Sequence, residues 1–162
     1  MKKKYTKKLI KIHLENIGPD GDTTSIYNGE NVNIFGGIPG ETVIAEIDIQ
    51  KQTKRKKPRI SGIVKQVLIS SPNRVNPPCQ FYGFCTGCNW QHIKYDYQLK
   101  LKEQIIFNEI KNKINSNINI KRIVPSKKQF NYRNHGRFSI RRNGQIGFTN
   151  KVTKKFVGVN HC

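Results

Sequence analysis

The chain is short of acid. Its 162 residues hold 10 Asp plus Glu against 30 Lys plus Arg, a formal net charge of +20. An excess of that size directs the chain toward polyanions, by binding that releases condensed counterions and weakens steeply with salt. Long apolar runs are missing as well: none reaches the roughly 18 to 20 residues needed to span a bilayer. No lipidation motif appears, so no membrane partner is expected and nucleic acid is the favoured polyanion. Met1-Lys2-Lys3-Lys4 is not followed by an apolar stretch or a small-residue cleavage site, which leaves the cytoplasm as the expected compartment. Nor is there a Gly-rich strand-turn-helix with a downstream acid. Phe35-Gly36-Gly37-Ile38-Pro39-Gly40 reads as a turn between strands with no helix after it.

Cysteine is scarce, but its placement carries the most information. Cys79, Cys85 and Cys88 stand in the spacing C-x5-C-x2-C, and Cys162 is the only other. Three thiols in a polar, turn-rich loop cannot all be core residues, and a reducing compartment disfavours disulfides. Four thiolates match what a tetrahedral metal site or an iron-sulfur cluster requires. Structural zinc usually shows two paired knuckles, whereas only one C-x2-C pair exists here. The plant-type iron-sulfur spacing differs from this one by a single residue, so the spacing favours iron-sulfur over zinc without fixing nuclearity. Pro77, Pro78, Phe81, Tyr82, Phe84 and Trp90 are candidates to screen a cluster from water.

The pattern along the chain changes near Ser70. Before it, Leu9–Glu15, Thr24–Tyr27, Val32–Phe35, Val43–Ile49 and Arg59–Ile69 read as five short antiparallel strands, with Asn28-Gly29 as a hairpin turn. Such a run predicts a small β-barrel of the OB type, with Gly36, Gly37 and Gly62 at bends or bulges. Between the fourth and fifth strands, Lys51, Lys54, Arg55, Lys56, Lys57 and Arg59 put six cations in nine residues, where OB barrels carry a ligand-binding loop. After the cysteines, Asp96 is the expected cap of a helix with Leu99, Ile105, Ile106, Ile110 and Ile114 on its apolar stripe. Strands are then expected at Ile120–Val124, Tyr132–Arg141, Gln145–Thr149 and Lys155–Val159, with Asn143-Gly144 as a second hairpin. Within that hairpin Arg133, His135, Arg137 and Ile140 are mixed in an unusually basic strand, and Tyr132 and Phe138 interleave aromatic surface with the cations, a combination able to stack bases and clamp phosphates. The expected organisation is a barrel over 1–70, a cysteine loop over 71–92, and an incomplete α+β domain with an antiparallel sheet over 93–162.

The ordered set Pro39-Gly40-Glu41, Ser71-Pro72-Asn73-Arg74, Pro77-Pro78-Cys79, Cys85-Thr86-Gly87-Cys88, Gln91-His92, Gln98-x-x-x-Lys102, Tyr132-Arg133-Asn134, Gly147-Phe148 and His161-Cys162 resembles the N-terminal half of the RNA uracil-C5-methyltransferases. The resemblance runs over essentially the whole chain and departs at Thr86, where glycine is usual. It implies a TRAM barrel that binds RNA, a 4Fe-4S cluster on Cys79, Cys85, Cys88 and Cys162, and Tyr132-Arg133-Asn134 as an RNA-contact motif. It further implies ribosomal or transfer RNA as partner, and an S-adenosylmethionine-binding catalytic domain that these residues do not contain. With all four cysteines assigned to the cluster, none is left as nucleophile, and the chain alone is expected to be inactive. A truncated or split reading frame, with the methyltransferase domain encoded separately, is the expected origin. The competing expectations are a free-standing TRAM and iron-sulfur RNA-binding protein and a zinc-bearing, ribosome-associated one.

Overall fold

The computed structural model describes residues 5–50, 59–113 and 119–162. Six strands, β1 (Tyr5–His13), β2 (Asn16–Ile17), β3 (Thr23–Tyr27), β4 (Glu30–Phe35), β5 (Thr42–Gln50) and β6 (Arg59–Ile69), form one sheet in the order β1-β5-β6-β4-β3-β2. β1 and β2 stand at opposite ends of that order yet are separated in sequence only by Leu14 and Glu15. One stretch of chain therefore serves both edges, and the sheet curls into a barrel-like shape. Glu15 tightens the seam, its N–H donating to the Thr24 carbonyl at 3.2 Å.

Alternation fills the interior. Ile10, Ile12, Leu14, Val32, Ile34, Val43, Ala45, Ile47 and Ile60 form one buried cluster, with alternate residues of β1, β4 and β5 joined by Leu14 just after β1 and by Ile60 of β6. Asn28 and Gly29 both take positive φ, 51° and 80°, making the tight β3–β4 turn that this dipeptide favours. Two sequence expectations need correction. The sheet is not wholly antiparallel, because β4 runs parallel to β6, from Val32 opposite Ile60 to Phe35 opposite Ile63. Gly62 is not at a bend or bulge: it lies in register with both Ile34 and Ile47. It is needed for space, since an added Cβ would come within 2.8 Å of Ile47 Cγ2 and 2.9 Å of the Glu46 carbonyl.

Beyond the barrel come α1 (Tyr95–Lys113) and the short strands β7 (Ser139–Ile140), β8 (Ile146–Thr149) and β9 (Phe156–Gly158), the last three forming an antiparallel sheet β7-β8-β9. The helix begins one residue before Asp96, so this carboxylate lies in the first turn, where it faces the positive end of the helix dipole, and does not cap. Its buried face is Tyr97, Leu101 and Ile105, not the stripe through Leu99 and Ile110; Ile106 is exposed, and Ile114 lies outside the described residues. Tyr97, Leu101 and Ile105 follow one another at i, i+4 and pack with Trp90 against Ile17, Ile38 and Ile93, so the helix is seated on barrel residues. The expected strands at Ile120–Val124 and over most of Tyr132–Arg141 are absent: residues 119–138 carry no regular structure and are largely exposed. No strand among the described residues runs beside them, and an unpartnered segment gains nothing from an extended conformation.

A buried ion pair joins barrel to cysteine segment. Glu41 is fully buried and accepts from the Ile38 N–H at 3.0 Å, the Ser71 N–H at 3.1 Å, and Arg74 Nε and Nη2 at 2.6 and 2.5 Å. Arg74 Nη2 also reaches the Gly36 carbonyl at 2.9 Å. The bidentate fork and the two backbone donors satisfy the carboxylate, which is the condition under which a buried charge can be kept. Glu41→Ala, which leaves the guanidinium unpaired, is expected to cost about 3–5 kcal/mol. Urea unfolding checks this, and a loss below about 1 kcal/mol would show that the pair is not essential.

Candidate cysteine site and basic surface

Turns shape the cysteine loop. Tyr82 N–H donates to the Cys79 carbonyl at 3.0 Å and Cys85 N–H to the Phe81 carbonyl at 2.7 Å, with Gly83 at φ 87° allowing the reversal between them. All four cysteines are free thiols; Cys79 and Cys85 are half-buried, Cys88 and Cys162 exposed. The His161 ring lies 5.4 Å from that of Phe81, which brings the neighbouring Cys162 back against the loop. Burial pushes the Cys85 thiol pKa up; the Gly87 N–H, 3.4 Å from its sulfur, opposes this, while Cys88, Cys162 and Cys79 each add to the rise. Four thiols thus share one electrostatic neighbourhood.

It is a neighbourhood and not a closed coordination sphere: among the described residues, no three His, Cys, Asp or Glu side chains are drawn together tightly enough to hold a metal ion. The donor set nonetheless fits a thiolate-ligated cluster, with four sulfurs and a backbone N–H aimed at one of them. The expected screen is thinner than the sequence suggests. Phe84 is 72% exposed, and Trp90 and Tyr82 are turned to the barrel side. Trp90 Nε1 donates to the Gly21 carbonyl at 2.6 Å. Tyr82 lies against Phe35, with its hydroxyl between the Asn89 carbonyl, at 2.7 Å, and His92 Nδ1.

His92 is buried, and its Nε2 donates to the Gly37 carbonyl at 3.1 Å. The carbonyl can only accept, so the neutral ring carries its proton on Nε2 and leaves a lone pair on Nδ1; the single Tyr82 hydroxyl proton lies between that lone pair and the Asn89 carbonyl and can serve only one of them at a time.

Lys51, Lys54, Arg55, Lys56 and Lys57 lie outside the described residues, and of Arg59 only the backbone, paired with Gln50, is described. Tyr132, Arg133, Asn134 and Arg137 are exposed in the irregular segment and not on a strand. The Arg133 guanidinium lies 5.8 Å from the Tyr132 ring. Carboxylate partners among the described residues go to Lys7, Lys65, Arg74, Lys113 and Lys151, so Arg133 and Arg137 have no ion-pair partner there. Sequence reasoning missed Asn150 and Lys151. The dipeptide Asn-Lys just after a strand gives no signal for them.

No family model matches the chain. Curated relatives do. An uncharacterized RNA methyltransferase of Aquifex aeolicus is 36% identical over 96% of this chain and 35% of its own length. Another from Bdellovibrio bacteriovorus is 32% identical over 94% of this chain and 38% of its own length. The 23S rRNA (uracil(1939)-C(5))-methyltransferase RlmD of Shewanella amazonensis is 27% identical over 99% of this chain and 36% of its own. The chain is therefore of the RNA methyltransferase class. Within it, the chain belongs to the family that includes the rRNA uracil-C5-methyltransferases and corresponds to their N-terminal part, spanning about a third of the length of these relatives.

Burial, the largest influence, lowers the His92 pKa to about 4 from 6.5; the Gly37 hydrogen bond and Glu41 oppose this, and Arg74 reinforces it. A depressed folded-state value means that the unfolded chain binds the proton more readily. The stability from neutral His92 is accordingly complete above about pH 6.5 and is lost as pH falls through about 4. The effect is at most on the order of 3 kcal/mol. Thermal melts of the wild type and His92→Gln should converge as pH falls through that window; a difference constant with pH would exclude the linkage.

Proposed function

We propose that this chain is the RNA-holding portion of an RNA uracil-C5-methyltransferase, with methyl transfer from S-adenosylmethionine performed by a catalytic domain on the same or a separate polypeptide. The observation that carries the reading is the relatedness of 94% or more of the chain to proteins named RNA methyltransferases. The +20 charge supports it, as does the small number of carboxylates available to neutralise it.

In this reading the barrel is a TRAM module, and the cations from Lys51 to Arg59 and the Tyr132–Arg137 segment meet the RNA. Arg133 and Arg137 neutralise phosphates, Tyr132 offers a ring to an unpaired base, and Asn134 offers amide hydrogen bonds. Ribosomal RNA is the substrate class that the named RlmD relative suggests. Cys79, Cys85, Cys88 and Cys162 hold a 4Fe-4S cluster, which when bound supplies a cross-link between the loop and the chain after β9. Glu41, Arg74, Trp90 and His92 keep the barrel and the loop in fixed relation, so that an RNA gripped by one is presented consistently by the other.

Protein purified anaerobically should contain iron and acid-labile sulfide, and Cys162→Ser should lower both. A colourless preparation with one zinc per chain would replace the cluster by zinc. Affinity for single-stranded RNA, read by fluorescence anisotropy, should fall about tenfold or more between roughly 50 and 200 mM salt. Negligible or salt-insensitive binding would refute the RNA-holding role.

A further inference from the structure

The turn between β8 and β9 braces the cysteine loop. Asn150 is 3% exposed, and both ends of its side-chain amide are engaged. Oδ1 accepts the N–H groups of Val152 and Thr153, each at 2.8 Å, and Nδ2 donates to the Phe84 carbonyl at 2.7 Å. With two N–H groups fixing Oδ1, the amide has only one sensible orientation, so the bond to the loop is unambiguous. The backbone closes the same turn: Asn150 N–H donates to the Lys155 carbonyl at 2.8 Å, and Lys154 N–H donates to that of Asn150 at 2.9 Å.

One residue further on, the Lys151 N–H donates to Thr86 Oγ1 at 2.6 Å, and Thr86 is itself only 9% exposed. Loop and sheet are in close contact here, since a Cβ added at Gly87 would lie 3.4 Å from Cys85 Sγ and 3.7 Å from the Phe148 ring on β8. Lys151 continues the contact to the barrel, with Nζ 2.7 Å from Asp22 Oδ1 and 4.7 Å from the centroid of Phe35. A buried asparagine that divides its amide between its own turn and a loop 66 residues away is a tie between the two.

We propose that Thr86 and Asn150 are positioning residues of the cysteine site. They fix Cys85-Thr86-Gly87-Cys88 to the hairpin whose second strand leads on to Cys162, and so hold the near and the distant ligands in register. The inference rests on reading the four cysteines as one cluster site. Thr86, which stands where the resembled family usually has glycine, supplies a hydroxyl acceptor that glycine lacks.

The test uses the full chain, prepared anaerobically as wild type, Thr86→Val, Thr86→Ser and Asn150→Ala. Iron and sulfide content and the rate at which a chelator bleaches the visible absorption are read beside the melting temperature of the metal-free protein. Thr86→Val and Asn150→Ala should release iron about 10- to 100-fold faster, the size usual when a group orienting a metal ligand is removed. Thr86→Ser, which keeps the acceptor, should stay close to wild type. Equal release rates in wild type, Thr86→Val and Asn150→Ala overturn the positioning role, as does equal acceleration by Val and Ser at position 86. A wild type that carries neither iron nor sulfide overturns the cluster reading itself. If Asn150→Ala does not fold, the nearly isosteric Thr86→Val against Thr86→Ser decides alone.

Discussion

The Glu41 carboxylate and the Arg74 guanidinium anchor the molecule. The carboxylate is removed from water and the guanidinium is partly so, and a carboxylate in that position is tolerable only because donors from two backbone groups and the guanidinium surround it. Two of those donors belong to backbone on opposite sides of the junction, Ile38 in the barrel and Ser71 after it. The pair therefore fixes the path of the chain as well as balancing charge. Ile38, held in this way, is one of the residues on which the helix is seated, and Gly36 and Gly37 present their carbonyls to Arg74 and His92.

Around that anchor the cysteine segment acts as a layer between two bodies. On the barrel side Trp90, Tyr82 and His92 are committed to Gly21, Phe35 and Gly37. On the other side Phe84 and Thr86 are committed to Asn150 and Lys151. The aromatic residues near the cysteines thus serve packing and hydrogen bonding more than insulation. The thiols themselves lie at the outer rim of this layer, where a loop of tight turns leaves their side chains partly in water.

How legible all this was in the chain depended on the range of the interactions involved. The barrel strands show because alternation and a two-residue Asn-Gly turn are local. The parallel pairing of β4 with β6 does not, because a strand's periodicity is silent about its neighbour. The helix is visible and Ile105 falls on its buried face as expected, but the rest of that face is not legible: Tyr97 has to count as apolar surface, and the partner surface comes from Ile17 and Ile38, far away in sequence. Residues 120–124 and 132–138 have strand-like composition and no strand to pair with. For the site, spacing singles out Cys79, Cys85 and Cys88 and the cysteine count adds Cys162 as the fourth thiol, while the nature of the cluster comes only from the resemblance. The ties at Glu41, Thr86 and Asn150 join residues 33, 65 and 66 positions apart, and nothing local announces such contacts.

The shared stretch that forms both edges of the barrel bears on how the fold is reached. Residues on β1 wait for β5, from 29 positions later (His13 with Thr42) to 45 (Tyr5 with Gln50), and the parallel pairing requires β6 to have turned back across the sheet. Hairpins such as β3–β4 can form within microseconds, but they cannot assemble the six-stranded sheet. Its assembly depends on contacts of large sequence separation, which are slow to find. A chain emerging from the ribosome would therefore hold its first strand uncommitted until Gln50 is available and the sheet incomplete until β6 has followed, and the seating of the helix and the cysteine loop would come as later, separate steps.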